Sequence, residues 1–404
     1  MTRRQRLTRP AAILTAVAAA TAAVATTPAA ASTPVPAVAA ARPANMASSP
    51  VGAFIGTLAY RGAEHPYLVG NLADASKRFG PASAQAKAAA AGLSVNVGAI
   101  SRLLSGGSAA RASSLRGALL ARDRGEVAYA AAVLAAHKAG VSGRTAAEKK
   151  ALAAIGSASR SLAADVHRAA PSISVSAAGS VLAVLNAGDE KALRAAALDQ
   201  PAQFADVEVG SVSLAKTLVV IGQRASGRPA AMSKAVEYRA ALEVAFTEHV
   251  YQTGLFGEAV LVYGPSSANA MAAHRADSLN TDLVARLLRD IGSGISARQV
   301  WNSHITGYSF YLTNLATGRG SLARAGALFG YYEKHIAIDV HRAAPAVGSV
   351  AQLQQVFAMH VGGTLTVFKL EKAGSPKLYP TALMGAAMFA DLGAKIAQAQ
   401  TAIR

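Results

Sequence analysis

The heptapeptide Asp165-Val-His-Arg-Ala-Ala-Pro171 recurs without change as Asp339-Val-His-Arg-Ala-Ala-Pro345. An identical heptapeptide in each half of a chain indicates an internal repeat, which should be recognised before any single element is assigned. Each copy ends in a proline, whose missing N–H and bulky ring prevent a helix from continuing. The pattern therefore predicts a helical unit that occurs twice, each with a helix ending at this heptapeptide.

The repeat extends over most of the chain. Three further pairs of residues keep a common spacing of 184: His65 and His249, Gly80 and Gly264, and Asn96 and Asn280. The spacing falls to 174 at the heptapeptides, which indicates loops of different length in the two copies. We place the copies at residues 51–226 and 231–404.

Composition predicts the class of fold. The chain of 404 residues is 52% hydrophobic, only 5% of its residues are aromatic, and alanine is abundant. Such a chain can bury a core and favours helices over strands. We predict an all-α protein of two tandem, diverged antiparallel helical bundles, each of about six helices. In the second copy, breakers and periodicity place these helices at about 233–263, 269–291, 297–315, 322–343, 349–371 and 379–403.

The N-terminus is typical of an exported protein. Arginines in the first ten residues precede an uncharged apolar stretch, and Ala29-Ala-Ala31 provides small residues for cleavage. We predict a signal peptide over residues 1–31 and a Pro/Ala-rich linker over residues 32–50, and we expect a secreted or cell-surface protein. The alternatives are an uncleaved anchor and, because of Arg3-Arg4, twin-arginine export. We expect no transmembrane segment in the mature chain.

Net charge and the lack of cysteine limit which partners and which kinds of site we expect. Four of the 40 Lys and Arg residues lie in the predicted signal peptide, which leaves 36 basic residues against 22 acidic ones. This excess is compatible with anionic cell-surface polymers as partners. Basic residues are not interleaved with stacking aromatics, so we expect no specific nucleic-acid binding. With no cysteine, disulfides and thiolate–metal sites are excluded.

Histidines on several predicted helices of the second copy indicate a site. We predict that a divalent transition metal, or a small polar ligand, is bound by His249, His304, His335, Asp339 and His360. His335 and Asp339 are four residues apart and so share one side of their helix. Imidazole and carboxylate both bind such metals, and helical bundles build metal sites from side chains on facing helices. Met384 and Met388, with Met359, form an alternative ligand set that would suit copper.

The first copy lacks most of these histidines. With the spacing of the heptapeptides, Ala130, Ser161 and Asn186 stand where His304, His335 and His360 stand in the second copy. We therefore interpret the first copy as a degenerate scaffold joined to an active copy. The alternative is a protein in which neither copy has a site. An alternative explanation of the Glu64-His65 and Glu248-His249 pairs is that they anchor the first helix of each copy to a buried polar neighbour such as Asn96 or Asn280.

Four histidine-containing segments carry a resemblance: Glu-His-Val-Tyr, Trp-Asn-Ser-His-Ile, Lys-His-Ile-Ala and Met-His-Val, in this order. With them, residues 240–404 resemble a bacterial family of exported helical-bundle proteins whose helices begin with a Trp-Glu-x-His-Val-like motif. Ala245 and Phe246 stand near the position of the family's Trp. The resemblance implies a helical bundle with recurring histidines and names no activity.

Three functional hypotheses follow. The first is an exported bundle that binds a metal ion or small polar ligand in its C-terminal copy. The second is a non-catalytic structural or interaction protein of the cell envelope, in which the histidines are buried and hydrogen-bonded. The third is a metal-dependent oxidoreductase similar in architecture to ferritin-like or haemerythrin-like bundles. Because no nucleophile elbow, phosphate loop or dinucleotide motif is present, we expect a binding protein rather than an enzyme.

Overall fold

Serines and glycines divide the chain into helices. The computed structural model describes residues 46–169, 171, 173–225, 234–289 and 297–399. Serine N-caps begin many of the helices, where the hydroxyl accepts a hydrogen bond from a free N–H of the first turn. At Gly80 and Gly264, equivalent turns end the first helix of each copy with φ of 93° and 94°. Only glycine adopts such a φ without strain. The predicted signal peptide and linker residues 32–45 lie outside the described residues.

The described residues contain twelve α-helices and no strand. The helices are α1 (Pro50–Phe79), α2 (Ala84–Leu104), α3 (Ala109–Lys138), α4 (Ala146–Ala169), α5 (Val175–Ala197), α6 (Ala202–Ala225), α7 (Lys234–Tyr263), α8 (Ala268–Arg289), α9 (Ala297–Thr317), α10 (Leu322–Ala343), α11 (Val350–Lys372) and α12 (Leu378–Ala399). Short 3₁₀ turns lie at Met46–Ser48 and Pro345–Val347. The all-α prediction is confirmed. Along the described chain, no helix is both long and apolar enough to cross a membrane.

Two hydrophobic clusters follow the predicted copies. One is built mainly from α7–α12 and includes the fully buried Trp301 and Phe357. The other is built mainly from α1–α6 and includes the fully buried Tyr129. The second cluster also contains Tyr251 and Ala386 from the C-terminal copy. All described helices belong to one compact unit. The division into two tandem domains therefore stays a prediction from sequence.

Equivalent contacts recur in the two copies. The Asn96 amide donates to the Arg61 carbonyl at 2.9 Å, and the Asn280 amide donates to the Ala245 carbonyl at 3.0 Å. Tyr67 and Tyr251 are stacked on each other with ring centroids 5.1 Å apart. Their numbers differ by the repeat spacing of 184, so residues at equivalent positions of the two predicted copies meet where α1 contacts α7. The copies thus pack along their first helices.

The repeated heptapeptide holds the loop that follows it. Its histidine donates a hydrogen bond to a carbonyl beyond the proline, from His167 to Ile173 at 2.7 Å and from His341 to Gly348 at 2.8 Å. In the first copy, Asp165 also accepts a hydrogen bond from Ser114 on α3 at 2.9 Å. The motif is therefore a helix-end structure that directs the chain into the next helix.

Candidate metal centre

Three histidines from three different helices meet in the core of the C-terminal copy. His249 lies in the middle of α7, His304 on α9 and His360 on α11, with exposed fractions of 0%, 0% and 3%. One ring nitrogen from each lies within 4.8 Å of the other two, and Nε2 of His249 lies 3.1 Å from Nε2 of His304. Around a tetrahedral metal with bonds of about 2.0–2.1 Å, such nitrogens would be about 3.3 Å apart. The spacing therefore suits a bound ion after small side-chain rotations.

The orientation of His304 is fixed by its own helix. Its Nδ1–H donates to the backbone carbonyl of Trp301, and its ring stacks on Tyr332 with centroids 4.0 Å apart. A carbonyl accepts only from a protonated nitrogen, so this bond assigns the proton to Nδ1. The lone pair of Nε2 is then directed toward His249. A metal-binding histidine is commonly held in this way, through its second nitrogen.

His249 faces a buried carboxylate with its other nitrogen. Nδ1 of His249 lies 3.5 Å from Oδ1 of Asp277 on α8, and both side chains are fully buried. The hydroxyl of Thr253 donates to Asp277 at 3.2 Å and so holds the carboxylate in place. A carboxylate behind an imidazole keeps the proton on the near nitrogen and raises the basicity of the far one. This arrangement prepares Nε2 of His249 as a second ligand.

The positions of the protons favour a cation between these rings. With His304 protonated at Nδ1, the 3.1 Å contact between the two Nε2 atoms requires a proton on Nε2 of His249. If His249 is neutral, its Nδ1 then presents a lone pair to the Asp277 carboxylate, which is repulsive. A metal ion removes the conflict, because both Nε2 atoms then bind it and His249 keeps its proton toward Asp277.

His360 completes the group. Its Nε2 is buried and has no hydrogen-bond partner among the described residues, and its ring packs on Phe389 with centroids 4.0 Å apart. Burial, followed by the nearby His249, lowers the pKa of His360 well below its usual value. Burial, followed by His249 and His360, lowers the pKa of His304 in the same way. Both rings are therefore neutral at pH 7, the state that binds metals.

Aromatic side chains surround the group. Trp301, Tyr332 and Phe389 each pack against at least one of the three imidazoles, and Phe246 stacks on Trp301. All four are fully buried. Such a wall excludes water and strengthens electrostatic interactions inside it. An ion here would be held by one ring nitrogen each of His249, His304 and His360.

Two of the five predicted ligands lie elsewhere. His335 is partly exposed and packs on Tyr331 with ring centroids 4.3 Å apart. Asp339 is buried, but it lies seven residues beyond Tyr332, the α10 residue that stacks on His304, which is about 10 Å along the helix. Helical periodicity placed Asp339 on the correct face at the wrong level. The close group of ring nitrogens contains neither residue.

In the first copy an arginine takes the place of His304. An added Cβ at Gly125 would meet Ile155, and one at Gly307 would meet Phe329. Since Ile155 and Phe329 are equivalent at the 174 spacing, Gly125 is equivalent to Gly307 and Arg122 to His304. This corrects the sequence alignment, which put Ala130 there. The spacing between these equivalent residues of α3 and α9 is 182.

A charged network occupies the corresponding region of the first copy. The buried Arg122 guanidinium donates to Asn186 at 3.2 Å and pairs with Glu126 at 2.7 Å, and it also pairs with Asp189. His65 is held by Asn96 and by Asp123, each at 3.1 Å. Anchoring to a buried asparagine therefore does occur in the first copy. In the second, His249 has no such bond, and Asn280 binds a backbone carbonyl instead.

Sequence reasoning missed Asp277. Asp277 lies on the inner face of α8, at helical spacing from the buried Ala273, Thr281 and Val284. This spacing is the signal that could have located it. The inner face of α8 is rich in polar residues, so its sequence resembles that of a solvent-facing side.

In comparisons with known proteins, no protein family, curated protein or solved structure matches this chain. The resemblance to a bacterial family of exported bundles stays a prediction.

Proposed function

We propose that this protein binds one divalent transition-metal ion through His249, His304 and His360. The observation that carries the proposal is the convergence of three buried imidazole nitrogens within 4.8 Å, on three different helices. Imidazole ligands suit zinc, copper, iron and nickel. A set of three histidine ligands is known from zinc sites. We propose ion binding and no catalysed reaction.

Elemental analysis of the purified, untagged protein tests the proposal. We expect roughly one metal ion per chain in the wild type and its loss from a His304→Ala/His360→Ala double variant. His335→Ala is the matched control, because it removes a partly exposed imidazole outside the close group. Metal-free wild-type protein that also fails to bind added zinc, copper, nickel and iron would overturn the proposal. Equal loss of metal from His335→Ala would assign it to other ligands.

A second candidate function is a metal-free structural bundle. The 3.1 Å contact between His249 and His304 favours it, because that length also suits an N–H···N hydrogen bond. It leaves Nε2 of His360 without a partner and Nδ1 of His249 facing a carboxylate, and buried polar groups without partners are costly. The metal-binding proposal has neither difficulty.

We infer from the sequence that the protein acts outside the cytoplasm. The support is the order of a basic start, an apolar stretch and Ala29-Ala-Ala31. The mass of the protein recovered from the culture medium or cell surface of its native host tests this. We expect the mass of a chain that begins at Ser32. An uncleaved chain recovered from inside the cell would contradict the inference.

A further inference from the structure

A groove on the first copy lies apart from the histidines. It has a volume of about 640 Å³ and runs between α3 and parts of α1, α6 and α7. Its apolar lining includes Leu134, Phe204, Val207 and Leu255. Volumes of about 300–1,000 Å³ with mostly apolar walls are typical of small-molecule sites. The groove is therefore large enough for a ligand of that class.

Alanines on α3 keep the groove open. Ala128, Ala131 and Ala135 line it at helical spacing and are exposed, so their side chains do not fill the space between the helices. The same stripe of α3 begins at Arg124 and ends at Lys138. Fourteen residues of helix span about 21 Å, so the groove offers a long, narrow apolar bed with a cation at each end.

The acidic side chains of the lining share one cation. Asp74 and Glu258 lie 3.1 and 3.5 Å from the Arg78 guanidinium, which also pairs with Glu371 at 2.6 Å. Burial raises the pKa of both lining carboxyls, which favours their neutral forms. Lys77 is neutralised by Asp199 and also donates to a backbone carbonyl at 3.0 Å.

The two cations on α3 differ from these paired residues. Arg124 and Lys138 are exposed, and within the described residues neither has an acidic partner. Their charge is therefore available to a ligand.

We propose that this groove binds an anionic amphiphile with a single alkyl chain, such as a fatty acid. The chain lies along the alanine stripe of α3 against Leu134 and Phe204, and the anionic head pairs with Arg124 or Lys138. Burying alkyl carbon in the groove supplies the affinity, because apolar surface is removed from water. The cations select the sign of the head group. This site is independent of the proposed metal centre.

Calorimetric titration with two probes of equal chain length tests the proposal. Dodecanoate and dodecyltrimethylammonium, each kept below its micelle concentration, differ in the sign of the head group. We expect dodecanoate to bind one per chain and at least about tenfold more tightly than the cation, because attraction at the rim is replaced by repulsion. Absence of saturable dodecanoate binding, or equal affinity for both probes, would overturn the proposal.

Variants locate the site. Ala131→Trp fills the groove and should abolish dodecanoate binding, whereas the matched control Ala153→Trp, at an exposed alanine of α4 outside the groove, should leave it unchanged. Arg124→Gln/Lys138→Gln should reduce the preference for dodecanoate over the cation by roughly tenfold. Circular dichroism shows whether each variant is folded. Unchanged binding in a folded Ala131→Trp protein would place the amphiphile elsewhere and contradict the proposal.

Discussion

At the scale of single residues, the candidate centre depends on the groups behind the ligands. Asp277 lies 3.5 Å from Nδ1 of His249, so with an ion on Nε2 its carboxylate would face the Nδ1–H and increase the electron density at Nε2. Replacing such a supporting residue typically lowers metal affinity about 10–100-fold. We expect Asp277→Asn, which keeps the shape and removes the charge, to weaken metal binding by that factor in a titration against a competing chelator. Asp282→Asn, at a partly exposed aspartate of the same helix, is the control and should bind as the wild type does.

The ligands themselves were only partly predictable, for a reason that acts at this scale. Periodicity shows which face of a helix a residue occupies, and it placed His249, His304 and His360 inside. It does not show the level along the axis at which two helices meet. Asp339 is therefore buried but lies about 10 Å from the α10 residue that touches His304. Knowing which residues pack against each other requires the three-dimensional structure.

Glu243 predicts a pH dependence of stability. Burial, opposed by Arg239, raises the pKa of Glu243 from 4.5 to about 7. An acid whose pKa is higher in the folded state contributes stability that is complete below the unfolded pKa and is lost as pH rises through the folded pKa. Relative to Glu243→Gln, the wild type should therefore lose about 3 kcal/mol of unfolding free energy between pH 4.5 and pH 8. Urea unfolding of both proteins across this range measures the difference, and a constant difference would contradict the assignment.

At the scale of helices, the sequence was most informative. In the second copy the predicted first helix ends at Tyr263 as observed, and the predicted fourth matches α10 at both ends. These ends were predictable because Gly264-Pro265 and Pro345 are local breakers that act whatever the tertiary contacts. Helix α12 ends at Ala399 in the described residues, and the remaining predicted residues 400–403 lie outside them. The equivalence of α3 with α9 was not predicted, because it rests on the contacts of Gly125 with Ile155 and of Gly307 with Phe329, which the sequence alone does not show.

Close packing of α9 on α10 positions His304. A Cβ at Gly307 would lie 2.6 Å from the ring of Phe329, whereas one at Gly326 on α10 would meet open space. We expect Gly307→Ala to destabilise the protein by about 1–3 kcal/mol and to weaken metal binding, because α9 must shift. Gly326→Ala should be neutral or stabilising by about 0.5–1 kcal/mol. Thermal unfolding and the chelator titration together test this, and equal behaviour of the two variants would show that α9 is not tightly held.

At the scale of the whole molecule, the two copies use the same region in different ways. In the first copy the buried cation is the Arg122 side chain, which the carboxylates of Glu126 and Asp189 neutralise. In the second copy three buried imidazoles with no covalently attached cation among them meet in this region, where we propose that a metal ion binds. The first copy therefore fills this region of its core with a charged network in place of imidazoles. It is degenerate only in lacking the histidines.

This difference predicts that stability and metal content can be separated. Arg122→Ala removes the partner of the buried Glu126, and breaking a buried ion pair costs about 3–5 kcal/mol. We expect a large loss of stability on urea unfolding with metal content per folded chain unchanged. Arg116→Ala, at an exposed arginine of the same helix, should leave both unchanged. Loss of metal from the folded Arg122→Ala protein would show that the two regions act as one site.

X-ray absorption at the edge of the bound metal decides whether the three histidines are ligands. On protein purified without added metal, we predict a first shell at about 2.0–2.1 Å with the multiple-scattering features of three imidazoles. The imidazole features should diminish in any protein that still binds metal after His360→Ala and persist after His335→Ala. A first shell of oxygen ligands without imidazole scattering would contradict this assignment and leave the histidines as hydrogen-bonded residues of the core.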